Sequence, residues 1–395
     1  MMKKSILTCS FFIGLLVLTA CKKNDDTITP TPITPPVFTA KDEIIGNNFY
    51  QVEFSDDSRS MVWCEQSGVT SKVYYADVDL DTGLPNFATK QFIDNIQGQG
   101  WPYWGQDNQG SFFLIMNANK EFIVVRRTGT NTLVKTNLGI VNTDAKALIN
   151  VSHDPTKPYF WINYTVKTTV AGGKDKLYCF RSDKPNDRSF INEEVPNTAG
   201  SAYELTFPRW KRNSEILLYP FRGNPNLPIF DIKFWNGQTQ TSTQITNDGT
   251  GFHHVDDFPF TVAGQEYLFS SKNANKLAIC KQQATGFYTE IENYSTPTTI
   301  SPYTLTSFEP FTINGKTYGA YQVYNGGGIP GFTKGEIWLK GILGETLQTK
   351  ISTTDGVAVD PEYVIGNNKV WIYYYGKAVG TGTFDLHRCE TPLTK

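Results

Sequence analysis

Glu309-Pro310-Phe311-Thr312-Ile313-Asn314-Gly315-Lys316-Thr317-Tyr318 contains a short strand, a two-residue turn and the start of a second strand. Phe258-Pro259-Phe260-Thr261-Val262-Ala263-Gly264-Gln265-Glu266-Tyr267 repeats it one unit earlier. Asn-Gly is the pair a tight hairpin requires, because both turn residues take positive φ there. Phe207-Pro208-Arg209-Trp210, ahead of Arg212-Asn213-Ser214, matches both stretches, with Pro208, Pro259 and Pro310 at one offset from the turn. Further units begin near Tyr50 (Phe54-Ser55-Asp56-Asp57-Ser58), Trp101 (Trp101-Pro102-Tyr103), Val151 (Ser152-His153-Asp154-Pro155) and Val357 (Asp360-Pro361-Glu362-Tyr363). The repeat is about 50 residues long, a period that marks stacked or radial repeats.

Each unit reads as four strands, the last one polar, and no such unit can bury both its faces alone. The chain is therefore expected to be an all-β β-propeller of seven blades, or of six or five should weak units merge. The last unit shows only three strands, near 357–365, 370–375 and 384–390, so residues 37–45 are expected to supply the missing outer strand and close the ring. Closure would remove the exposed sheet edges. No apolar period of 3.6 persists for several turns, which sets a helical-repeat architecture aside. Composition agrees: 26 Phe, 20 Tyr and 8 Trp against 4 Met suit strands. The formal net charge is −2, and no basic patch points to nucleic acid.

The N-terminus carries a different signal. Lys3 and Lys4 precede an apolar stretch ending in Leu18-Thr19-Ala20-Cys21. This resembles a bacterial lipobox, which implies a leader over residues 1–20 and acylation of Cys21. The apolar run is too short for a spanning helix, which needs roughly 20 residues. Residues 21–36 read as a hydrated and Thr/Pro-rich spacer, with Pro30, Pro32, Pro35 and Pro36 favouring an extended chain. Asp25 and Asp26 resemble the export tag of surface lipoproteins in glycan-feeding Gram-negative bacteria. The expected location is the outer membrane, anchored through the lipid and facing the cell surface, with residues 37–395 as the displayed domain.

Cys179, Cys280 and Cys389 fall on third strands of different units, and Cys64 on a second strand, so ring geometry should keep all four unpaired and buried. No Cys-x-x-Cys or clustered Cys/His spacing suggests a metal site. Nothing in the sequence specifies a cofactor.

Chemistry is sought where the innermost strands begin, at the mouth of the central channel. Glu309 takes the offset held by Phe207 and Phe258 in sibling units, and Glu362 takes it in the last unit when Asn367 is aligned with Asn314. Asp256 and Asp257 lie just before that offset in the fifth unit, Asp360 two before it in the seventh, and His253 and His254 slightly earlier in the fifth. Adjacent His side chains on a strand face opposite ways, so one of the two at most meets the channel. Such acids could form a carboxylate pair for glycoside hydrolysis, and a His could serve as a base. The plainer reading is that each caps a turn or holds a neighbouring backbone. Arg209 and Trp210 either hold a carboxylate and stack on a sugar or pack on one another. Trp101 and Tyr103, with Trp104, are further stacking candidates. His153-Asp154-Pro155 reads as hairpin-turn chemistry.

Ser55-Asp56-Asp57-Ser58, followed by Val73-Tyr74-Tyr75-Ala76-Asp77-Val78-Asp79, resembles the repeat of TolB-type propellers, which implies binding or scaffolding. The Glu309-Pro310 and Asp360-Pro361-Glu362 units resemble blades of propeller glycosidases. That resemblance implies catalytic carboxylates at Asp256, Asp257, Glu309, Asp360 and Glu362. Three functions follow as expectations: a glycan hydrolase or lyase, a surface glycan binder, or a scaffold for protein partners.

Overall fold

The computed structural model describes residues 38–67, 70–97, 100–129, 132–141, 149–166, 173–194, 208–221, 231–247, 257–272, 275–325, 333–353, 356–377 and 384–395. The expected leader, Cys21 and spacer lie outside them. Among these residues every regular element is a strand, and the strands form seven four-stranded antiparallel sheets.

In six blades the order follows the chain. Blade 1 comprises β2 (Tyr50–Phe54), β3 (Ser60–Ser67), β4 (Thr70–Asp79) and β5 (Leu84–Gln97). Blade 2 is β6 (Tyr103–Asp107) through β9 (Thr132–Val141), and blade 3 runs from β10 (Ile149–Val151) over β11 (Trp161–Val166) and β12 (Asp175–Arg181) to β13 (Ser189–Glu194). Blade 4 has β14 (Arg209–Trp210), β15 (Ile216–Phe221), β16 (Asp231–Asn236) and β17 (Thr241–Gln244). Blade 5 extends from β18 (Phe258–Val262) and β19 (Gln265–Lys272) to β21 (Tyr288–Ser295), and blade 6 from β22 (Thr304–Ile313) and β23 (Lys316–Asn325) to β25 (Gln348–Lys350).

Blade 7 joins the two ends of the domain. Its strands β26 (Val357–Ile365), β27 (Lys369–Lys377) and β28 (Asp385–Thr394) are completed by β1 (Lys41–Asn47), which pairs with β28. The closing strand was expected at 37–45 and sits a few residues later, because Phe38 and Ala40 pack on the apolar cluster between blades 6 and 7 instead of pairing. A side-chain latch reinforces the backbone ladder. Asp42 takes hydrogen bonds from the Thr353 hydroxyl at 2.8 Å and from Tyr374, and meets His387 Nδ1 at 3.1 Å. Burial alone would raise the Asp42 carboxyl, yet these partners hold it below its ordinary value.

Side-chain alternation builds the ring. On second strands, adjacent residues go to opposite neighbours: Phe112 joins the cluster between blades 2 and 3, Phe113 the one between blades 1 and 2. Leu217 and Leu218 divide in the same way between blades 3/4 and 4/5. Period-2 alternation therefore lets each thin sheet bury both faces. Every one of the seven blade interfaces has its own buried apolar cluster, including that between blades 7 and 1. Each inner strand touches the inner strands of both neighbours, which closes the circle. Close approach is needed at Gly319, where a Cβ would stand 2.2 Å from the Phe269 ring of blade 5. The Asn314-Gly315 turn has φ of 51° and 74°, the double left-handed turn its sequence calls for. Cys64, Cys179, Cys280 and Cys389 are buried and form no disulfide among the described residues, as their strand positions imply.

Candidate functional site

Three inner strands share a fault that the other four lack. β2 has one extra residue between Tyr50 and Glu53, β22 between Thr306 and Glu309, and β26 between Val359 and Glu362. In each, the residue after the break is left-handed: Gln51 at φ 50°, Ser307 at 50° and Asp360 at 57°. A buried apolar residue follows (Val52, Phe308, Pro361), and then a glutamate. Such β-bulges re-aim side chains, and strained non-glycine φ values tend to gather at working sites. Blades 6, 7 and 1 are consecutive, so Glu309, Glu362 and Glu53 stand side by side at one level of the channel. The inner strands of blades 2 to 5 pair with their second strands without a register shift.

These acids feel one another. Burial, then Asp360 and Glu309, push the Glu53 carboxyl well above its ordinary value, while Arg209 pulls it back. Burial, then Glu309, Glu53 and Asp360, do the same to Glu362, again against Arg209. Burial and mutual repulsion thus favour the protonated form of both Glu53 and Glu362, which titrate as members of one coupled set. Each of the four carboxylates is half-buried, keeping access to solvent through the channel.

The surroundings of Asp360 are polar and fixed. Its backbone N–H donates to Gln322 Oε1 at 3.3 Å, and Tyr375 donates its hydroxyl proton to the Asp360 carboxylate. Gln51 Nε2 donates to that same hydroxyl at 3.3 Å. Burial and the nearby Cys64 and Asp360 raise the Tyr50 phenol to about 12. Gln322 is 2 % exposed, and its Nε2 has no hydrogen-bond partner among the described residues.

A second polar group closes the hairpin end of the channel. Asp56, in the β2–β3 turn, meets His153 Nδ1 at 3.1 Å and accepts from Arg212 Nη2 at 2.8 Å. These side chains come from blades 1, 3 and 4, so the strap crosses the ring. Burial opposes the Asp56 charge, but His153 and Arg212 outweigh it and hold its carboxyl far below the usual range. Arg212 is ringed by protein yet keeps 44 % of its side-chain surface accessible, and that accessibility governs its energetics because channel water screens the pair. Tyr363, its phenol raised by burial to about 12, lies between the strap and the acids, within reach of the charges of Arg212, Asp56, Glu309 and Glu362.

The structure thus brings Glu309, Asp360, Glu362 and Arg209 together. Arg209 also lies 5.1 Å from the centre of the Phe258 ring, so its stacking partner is Phe258 of blade 5. Trp210 is 5 % exposed and packs within the blade 3/4 core, 6.2 Å from Trp161, where no sugar can stack on it. Trp101 is half-buried against the Tyr50 ring, 5.7 Å between centres. Tyr103 leans on the blade 2/3 core, and Trp104 is buried with its indole donating to Glu53 O at 3.2 Å. Asp257 is buried one residue before Phe258 and is not among the groups that act on Glu53 or Glu362. His253, His254 and Asp256 lie outside the described residues.

Sequence reasoning passed over Glu53, Asp56, His153 and Arg212. Glu53 had a readable signal: Gln51-Val52-Glu53, Ser307-Phe308-Glu309 and Asp360-Pro361-Glu362 share a polar-apolar-Glu pattern. Its hairpin is two residues shorter than those of Glu309 and Glu362, which hid the match. Asp154 does serve its turn, accepting from Thr156 N and Oγ1, while its neighbour His153 reaches across the ring. Among the described residues, no group of three or more His, Cys, Asp and Glu is placed to hold a metal ion.

No protein-family model matches the chain, and no curated protein matches it in sequence. Solved structures share the fold. An oligogalacturonate lyase from Vibrio parahaemolyticus aligns over 89 % of this chain and 92 % of its own, at 11 % identity and a TM-score of 0.55. A prolyl endopeptidase aligns over 84 % of this chain and 47 % of its own, at 10 % identity and a TM-score of 0.48. The periplasmic gluconolactonase of Pseudomonas aeruginosa aligns over 78 % and 86 %, at 12 % identity and a TM-score of 0.44. At these identities the likeness concerns the β-propeller ring alone.

Proposed function

We propose that the protein cleaves a glycan at the acid-lined side of its central channel, as a lipid-anchored protein of the outer cell surface. The observation that carries this reading is the set of bulged glutamates on blades 6, 7 and 1, in which burial and neighbouring acids raise the Glu362 and Glu53 carboxyls well above their ordinary value. Acid-catalysed glycoside cleavage needs a carboxyl group that keeps its proton near neutrality beside a second carboxyl group. Glu362 donates its proton to the departing glycosidic oxygen as the C–O bond breaks. Asp360 or Glu309, ionised, attacks the anomeric carbon or takes a proton from the attacking water. Arg209 limits the repulsion among the acids and offers hydrogen bonds to sugar hydroxyls. A backbone rich in uronates would meet like charge here, so the substrate is neutral or amine-bearing. For the anchor, the support is Leu18-Thr19-Ala20-Cys21 and the Thr/Pro spacer behind it.

The test is a panel of neutral, amino and uronate polysaccharides, read for new reducing ends with the protein and with E362Q. Release from a neutral or amino glycan that E362Q abolishes is the expected result. Turnover that survives in a folded E362Q protein, or the absence of turnover on every glycan, overturns the reading. Radiolabelled palmitate should enter the protein and not its C21A variant.

A further inference from the structure

We propose that Tyr375 is the positioning residue that keeps Asp360 fixed and ionised, and that Asp360, rather than Glu309, is therefore the carboxylate that meets the anomeric carbon or the attacking water. The role in the reaction rests on the reading that these acids cleave a glycan, whereas the hold of Tyr375 on Asp360 stands without it.

One arrangement recurs at the three bulges. Across from the residue ahead of each bulge stands a second-strand residue: Gln322 opposite Thr306, Tyr375 opposite Val359 and Cys64 opposite Tyr50. In the first two, that residue reaches the left-handed residue of the next blade. Gln322 of blade 6 accepts from the Asp360 N–H of blade 7 at 3.3 Å, and the Tyr375 hydroxyl of blade 7 accepts from Gln51 Nε2 of blade 1, also at 3.3 Å. No such link leaves Cys64 among the described residues, and the inner strand of blade 2 has no bulge to receive one. A left-handed non-glycine residue persists only where its surroundings hold it. Asp360 and Gln51 are each held from the blade before.

Tyr375 does more than Gln322, because it also donates within its own blade to the Asp360 carboxylate. It is 2 % exposed, and its ring is met edge-on by Tyr50 at 5.9 Å and by Phe384 at 5.3 Å. Burial favours the neutral phenol, so its single proton needs an acceptor, and a carboxylate is the strongest kind. Gln51, itself buried, fills a lone pair of the same oxygen with its N–H, which leaves the phenolic proton directed at Asp360. A donor held in that direction favours the charged form of a carboxyl group. The titratable groups facing Asp360 are Glu53 and Tyr50 from β2, Glu362 from its own strand and Tyr375 from β27. The two glutamates oppose its charge, and the Tyr375 bond favours it. Burial and neighbouring charge, with no phenolic donor among the described residues, govern Glu53 and Glu362 instead.

Aspartate labelled with ¹³C at the side-chain carboxyl lets Asp360 be followed by NMR, its resonance assigned by its loss in D360N. In Y375F that resonance should titrate at higher pH than in the parent, because the charged form has lost its donor. Gln51→Met should move it the same way and less, and it carries the test should Y375F fail to fold. On a glycan that the parent cleaves, Y375F should lower kcat about 10- to 100-fold with KM within about threefold. The acid limb of its kcat profile should move to higher pH, and D360N should lose more turnover than E309Q. An Asp360 titration unchanged in both variants overturns the hold of Tyr375. An acid limb that stays in place, or a larger loss in E309Q than in D360N, overturns the role of Asp360. A shifted titration without turnover of any glycan upholds the hold and fails the cleavage reading.

Discussion

Blades 6, 7 and 1 and blades 2 to 5 are made from one hairpin, yet their inner strands have been put to different uses. In blade 5, β18 pairs residue for residue with β19, and the position opposite Phe269 is Phe258, an aromatic residue that adds to the core. In blade 6 the same position, opposite Ala320, is Glu309, preceded by an inserted left-handed residue. The regular blades spend the position on packing. The bulged ones give up ladder regularity and bury acids, which lowers stability and concentrates protons on one side of the channel. A repeat becomes a site where it is broken, and three adjacent breaks bring three glutamates to one level.

The largest expected effect separates the two halves. E362Q should lower glycan cleavage by about 10²–10⁴-fold with the fold intact, whereas the equivalent change on the regular side, Phe258→Leu, should leave turnover within a few-fold. Reducing-end release and circular dichroism on the same samples measure both. Equal losses in the two variants would erase the distinction.

Next comes the latch that fastens the outer strand of blade 7. Asp42→Ala removes a buried carboxylate that serves His387, Thr353 and Tyr374, and should cost about 3–5 kcal/mol in denaturant unfolding. Asp56→Asn, in the more accessible strap, should cost less, about 1 kcal/mol.

The pH profile of stability sharpens the comparison further. Glu53 and Glu362 bind protons more tightly folded than unfolded, so unfolding free energy should fall as pH rises from about their ordinary value of 4.5 toward their raised values. Asp56 has the opposite sign, its contribution being lost as pH drops below its ordinary 3.8. Maximum stability should therefore lie in the mildly acidic range. An E53Q/E362Q variant should flatten the alkaline limb and leave the acid limb in place. A parent protein most stable above neutrality would contradict the burial of these protons.

The smallest effect tests the bulge itself. Ser307→Gly relieves a left-handed non-glycine residue and should stabilise by about 0.5–1 kcal/mol, whereas Thr261→Gly in the regular β18 should destabilise by a similar amount. Opposite signs are the outcome that upholds the difference between the two kinds of inner strand.

The fold was legible because its cause is local. Asn314-Gly315, the prolines at one offset and the two-residue alternation state the hairpin within each unit, and seven units that cannot bury themselves alone leave a ring as the solution. Even the closing strand was visible, as a blade short of one strand and a segment with nothing else to pair with. Glu309, Asp360 and Glu362 could be singled out by comparing units. What only the tertiary structure decided was which residues from distant units meet. Glu53 joins the acids through a bulge whose shorter hairpin disguised it. Asp56, His153 and Arg212 meet across the channel although 156 residues separate the first from the last. Trp210 turns into the core because strand parity, and not residue type, assigns its face. Local sequence sets turns and alternation because those depend on neighbouring φ and ψ. Charge, protonation and partnership at the centre of a ring depend on distances between blades, and those exist only once the circle has closed.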